Sequence, residues 1–144
     1  MTTTDTISLL RECNAGTQMA VFSINEILEN VKEPKLSELL ATAKERHERL
    51  GNEIHVLLQQ NGDATKDPGA MAKGMSWLKT NAKLALNDSD RVCAGLVTDG
   101  CHMGIKTIQR YLNEYVAADK SSVQKAKELI KMEEELVEAL KPWL

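Results

Sequence analysis

The chain has 144 residues, and 18 Lys and Arg stand against 21 Asp and Glu for a net charge of −3. That length is one ordinary domain, enough to bury a core without staples, and with no basic block to neutralise phosphates a nucleic-acid partner is excluded. No apolar run approaches the roughly 18 to 20 residues of a membrane span, and three cysteines without a C-x-x-C pair, behind a start (MTTTDTISLL) that lacks signal-peptide features, predict reduced thiols in a cytoplasmic protein.

Aromatics are only 3% of the chain while Leu, Ala, Lys and Glu dominate, so the composition points to an all-α fold with an aliphatic core. The first helix is predicted over about 5–31: a threonine run supplies its N-cap, Pro34 disfavours helix before it, and Ile7, Leu10, Val21, Ile24, Leu28 and Val31 form its apolar stripe. The second covers about 35–60, with Leu36, Leu40, Ala43, Leu50, Ile54 and Leu57 on one side, and ends at Asn61-Gly62. Asp67-Pro68 opens a shorter helix over about 69–86, where Met71, Met75, Trp77 and Leu78 read as anchors to the rest of the fold or a surface for a partner. Asn87 to Asp90 caps a helix over about 91–118, with Val97, Ile108, Leu112 and Tyr115 on its apolar side. Ser121 or Ser122 caps the last, about 122–141, which Pro142 stops.

Only about five residues join the first two long helices, and about as many join the last two, so each pair is an antiparallel hairpin. About 28 residues lie between the hairpins, and the short helix among them travels roughly 27 Å, enough with its loops to return along a second helix of roughly 39 Å. The third long helix should therefore run parallel to the second, the connectivity of a ferritin-like four-helix bundle with a long crossover.

The hairpins also look like copies of one unit, because Cys13-x-x-Gly16 follows Leu9-Leu10 as Cys101-x-x-Gly104 follows Leu96-Val97. In this paired motif, the helix order and the crossover, the chain resembles the bacterial ferritin-like four-helix-bundle proteins of unknown function. The resemblance spans nearly the whole chain and implies that fold. It also implies a glutamate just after each glycine, where this chain has Thr17 and Ile105.

Di-metal bundles bring an inward Glu from two helices together with Glu-x-x-His from the other two. No Glu-x-x-His occurs in the second or last helix, and Glu12 should point to solvent. His47 falls at the centre of the apolar stripe of the second helix, and Glu133 within the stripe Ala126, Leu129, Ile130, Leu136, Val137 and Leu140 of the last. In a ferritin-like bundle those helices are neighbours, so the two residues should meet at one level. Three readings stay open: a buried hydrogen-bonded pair, a remnant iron or manganese site completed by Glu48 or Glu134, or two residues at a half-exposed rim.

No cofactor is expected if the first reading holds. Cys13, Cys93 and Cys101 read as small packing residues, and a Cys13 to Cys101 disulfide is out of reach. In Asp99-Gly100-Cys101-His102-Met103-Gly104 the apparent ligands are divided: Cys101 and Gly104 lie on the core side, as small residues that let a neighbouring helix approach, and Asp99 and His102 on the polar side. No nucleophile with an adjacent base and no phosphate loop appears. The expected function is a non-catalytic binding or scaffold module with a stress or storage role, the alternative a di-metal carboxylate protein such as an iron oxidase or peroxide-consuming enzyme. A homo-oligomer built through helix faces or the crossover helix is the expected form of any self-association.

Overall fold

A computed structural model describes residues 3–62 and 89–144. Four α-helices make up the described residues: α1 (Thr4–Leu28), α2 (Pro34–Gln60), α3 (Asp90–Glu114) and α4 (Lys120–Leu140), followed by a 3-10 turn at Lys141–Trp143. The expected helix at 69–86 lies outside the described residues. Among those described, no helix is long and apolar enough to cross a membrane.

Each helix start is capped by a side chain that accepts an otherwise orphaned amide. Thr3 takes the Thr6 N–H, Glu33 that of Leu36, Ser89 that of Val92 and Asp119 that of Ser122. Pro34 stands in the first turn of α2, where its missing donor costs nothing, so this proline opens α2 as well as closing off α1. At the far end of α2, Gly62 takes φ +81, a backbone region that glycine enters without a Cβ penalty.

The boundaries differ from expectation where the backbone finds partners in other helices. α1 stops at Leu28 instead of Val31, because the Lys32 and Glu33 amides bond across to the Asp90 carboxylate at 2.8 and 2.9 Å. α3 stops at Glu114 instead of 118: the Ala117 amide bonds to Asp5 and the Asp119 amide to the Thr6 hydroxyl, each at 2.9 Å. Asp119 replaces Ser121 or Ser122 as the α4 cap, and Ser122 is instead buried, donating to the Asp119 carbonyl.

These cross-links also set the direction of each helix. The start of α3 meets the α1–α2 loop through Asp90, and the Trp143 indole, just past α4, donates to Glu33 at 2.9 Å. At the opposite end the start of α1 meets the α3–α4 loop, where Thr3 donates to the Ala117 carbonyl. Thus α1 and α4 run one way, α2 and α3 the other. α1 packs on α2 and α3 on α4, with further contacts of α1 to α3 and α4 and of α2 to α4.

The apolar core comes in two clusters. One gathers Ile24, Ile27, Leu36, Leu40, Cys93, Val97 and Leu140 around the α1–α2 loop end; the other gathers Leu9, Leu10, Leu50, Ile54, Leu58, Ile108 and Leu129 towards the opposite end. Between them in sequence, three of the four helices carry buried polar residues: Asn14 and Thr17 on α1, His47 on α2 and Glu133 on α4. On α3 the corresponding stretch between Cys101 and Ile108 holds Gly104, where an added Cβ would lie 3.7 Å from the Glu133 carboxyl. The other C-x-x-G glycine, Gly16, faces the same helix one turn away, with an added Cβ 3.4 Å from Leu129. The repeated motif therefore sets both glycines against successive turns of α4.

One glycine in this waist is required by space. A Cβ on Gly51 would lie 2.9 Å from the Thr17 hydroxyl, which is committed to the Asn14 carbonyl at 2.9 Å and belongs to a β-branched, rotamer-restricted side chain. Gly51→Ala is therefore expected to destabilise the fold by about 1–3 kcal/mol in urea unfolding, and Thr17→Ala in the same chain to recover part of that loss.

Candidate functional site

His47 and Glu133 reach the middle of the bundle because each sits where its helix's apolar stripe passes through the core. His47 lies between Ala43 and Leu50, Glu133 between Leu129 and Leu136, and all four neighbours are buried. The imidazole is 1% exposed and the glutamate 7%, and His47 Nε2 lies 3.0 Å from Glu133 Oε1. The two residues read from sequence as candidates thus meet directly, linking α2 to α4.

The second ring nitrogen settles the protonation logic. His47 Nδ1 lies 2.7 Å from the Ala43 carbonyl, which can only accept, so Nδ1 carries a hydrogen. Only one proton is then left to place, on Nε2 or on Glu133. Burial by itself lowers the His47 pKa, but the hydrogen bond and charge of Glu133, helped by the Ala43 carbonyl, outweigh it and leave the imidazole raised above its ordinary 6.5. At pH 6.5 and below, the favoured state is therefore an imidazolium donating to a carboxylate, a charge-assisted bond that leaves the pair neutral overall.

Cys101 stands beside this pair. Burial raises its pKa most, and the charge and hydrogen bond of Glu133 raise it further, so the thiol stays protonated. Burial and then Glu12 push Cys13 up to about 12. All three cysteines are buried, and neither Cys13 nor Cys101 supplies a thiolate for nucleophilic chemistry. Cys101 and Glu133 are near one another, and burial with the negative charge of Glu133 keeps the thiol in its unreactive protonated form.

The remaining candidates lie elsewhere. Glu48 is exposed with Lys44 3.8 Å away, and Glu134 is exposed on α4. Neither shares the buried level of His47 and Glu133. Among the described residues no group of three or more His, Cys, Asp or Glu side chains is placed to hold a metal ion. In the Asp99 to Gly104 stretch, Cys101 is buried while Asp99 and His102 are exposed, the division that the helical spacing predicts.

A cavity of about 380 Å³ opens between α1 and α3 and reaches down to the pair. Its α1 wall is built from small residues at helical spacing, Gly16, Ala20 and Ser23, and its α3 wall from Gly100, Gly104 and Thr107, with Met19, Met103 and Ile108 adding apolar surface. His47 and Glu133 belong to its lining. Glu12, expected in solvent, is half-buried and lines it too, since the gap left by small neighbours draws the side chain along the α1 surface. The sequence alone gives Gly104 a packing role only. The signal that could have shown the cavity was the run of small residues on facing stripes of both helices.

Compared with family models, curated proteins and solved structures, the chain shows no significant match to any of them.

The pair carries a clear energetic signature. Glu133→Ala should cost about 3–5 kcal/mol, because it leaves a buried imidazole without its acceptor, whereas the double change His47→Leu with Glu133→Leu should be near neutral or stabilising, as read by urea denaturation. A raised folded-state pKa means that the His47 contribution is fully present below pH 6.5 and is lost as pH climbs through the folded value. Wild-type unfolding free energy should thus fall over that rise relative to the double-leucine variant, measured in parallel.

Proposed function

We propose that the chain is a ferritin-like four-helix bundle, with a long crossover between α2 and α3, that works as a non-catalytic binding or scaffold module. The opposed directions of α1 and α3 and of α2 and α4 support the topology: α2 ends at the end of the bundle opposite to that where α3 begins. The paired C-x-x-G elements on α1 and α3 support the relationship between the hairpins. A cytoplasmic role in stress or storage physiology goes with the resemblance to ferritin-like bundles.

One observation carries the non-catalytic reading. At mid-bundle, where a di-metal protein needs four carboxylates and two histidines to converge, His47 and Glu133 are each other's partners at 3.0 Å. Thr17 and Ile105 occupy the positions after the two glycines, and neither side chain is a metal ligand of that class. The carboxylate is already engaged by the His47 ring, which a divalent cation would have to displace.

Metal analysis decides this. Protein purified without added metal and without chelator should contain no iron or manganese at fixed ratio, and adding either ion should leave its melting temperature unchanged. Two ions per chain with a raised melting temperature would instead establish a di-metal carboxylate protein, such as an iron oxidase or a peroxide-consuming enzyme.

A further inference from the structure

The cavity between α1 and α3 carries polar groups at its outer edge, where Glu12 and the exposed Arg110 line it, and at its buried end, where the carboxylate is that of Glu133. An ionised carboxylate offers about four lone-pair sites. Glu133 gives one of these, on Oε1, to His47 Nε2, and the carboxylate lines the cavity. We infer that the cavity binds a small uncharged molecule with a hydrocarbon body and a hydroxyl head, the hydroxyl donating to the free lone pairs of Glu133.

Charge decides between head groups. A carboxylate ligand would meet Glu133 with like charge and no donor of its own. An ammonium ligand would compete with the His47 imidazole for the same buried carboxylate and bring an unhydrated charge into the pocket. A hydroxyl supplies the missing donor without changing the charge balance. The body is selected by Met19, Ile24, Val97, Met103 and Ile108, and about 380 Å³ lies within the size range of small-molecule sites.

This inference rests on the reading of the bundle as a binding module, but it can fail alone: metal analysis tests that reading, and ligand titration tests this one. The probes are 1-octanol, octanoate and octylamine, titrated at pH 7 into the wild-type protein and followed by amide chemical shifts in NMR. Octanol should bind, with shifts centred on Ala20, Cys101, Gly104 and Glu133, and at least about tenfold more tightly than either charged probe. Ala20→Phe, which fills the α1 wall, should abolish octanol binding without loss of helical signal. Glu133→Gln should weaken it about tenfold, the scale of one hydrogen bond to a charged acceptor. Failure of octanol to bind the wild-type protein, equal binding of octanoate, or octanol shifts that persist in the folded Ala20→Phe variant would overturn the proposal.

Discussion

A single buried bond between α2 and α4 constrains the middle of this bundle. His47 and Glu133 are both surrounded by aliphatic neighbours, so neither tolerates the loss of the other: an unpaired imidazolium or carboxylate at this depth costs several kcal/mol. An all-aliphatic core would accept many helix registers, since one leucine replaces another with little loss. A polar pair that must meet at 3.0 Å accepts only one. Its role in fixing register parallels the lone polar residue in a coiled-coil seam, which trades stability for a defined alignment.

The surrounding architecture follows from that waist. Two apolar clusters fill the halves of the bundle on either side, and the small residues near the waist let polar groups pass between helices. Gly51 yields space to the Thr17 hydroxyl, and Gly104 leaves the face of Glu133 uncovered by a side chain. At the ends, polar clamps take over. Asp90 holds the α1–α2 loop and Glu33 receives the Trp143 indole, while Asp5 and Thr6 bind the backbone of the α3–α4 loop. The Asp90, Asp5 and Thr6 clamps satisfy amides released where a helix stops, so these acidic and hydroxyl side chains align the hairpins as well as capping them.

Much of this was legible in the sequence because helical periodicity transmits directly into burial. His47 stands out as a polar residue at the centre of a regular stripe, and Glu133 as a carboxylate that no rotation of its helix removes from the core. The division of Asp99 and His102 from Cys101 follows from the same 100° step. What remained hidden depends on contacts between distant segments. Asp90 reads as a helix-start residue, but its two bonds to Lys32 and Glu33 need the α1–α2 loop beside it, and that loop's early exit from α1 follows from them. Glu12 was placed in solvent by angle alone, whereas the facing small residues of α1 and α3 leave a gap that it borders. Gly104 looked like a residue demanded by close helix approach; its added Cβ would make only ordinary contact, and its consequence is an open face on the carboxylate.

The account turns on the state of one proton. The Ala43 carbonyl fixes a hydrogen on Nδ1, and Glu133 holds the other on Nε2, so the imidazolium–carboxylate form defines both the neutrality of the core and the acceptor offered to the cavity. Nitrogen-15 NMR of the His47 ring measures this directly. At pH 6 both ring nitrogens should resonate as protonated N–H groups, with the ring titrating above its ordinary 6.5. An unprotonated Nε2 at pH 6 would contradict the account, for it would mean a neutral imidazole and a different source of order at the centre of the bundle.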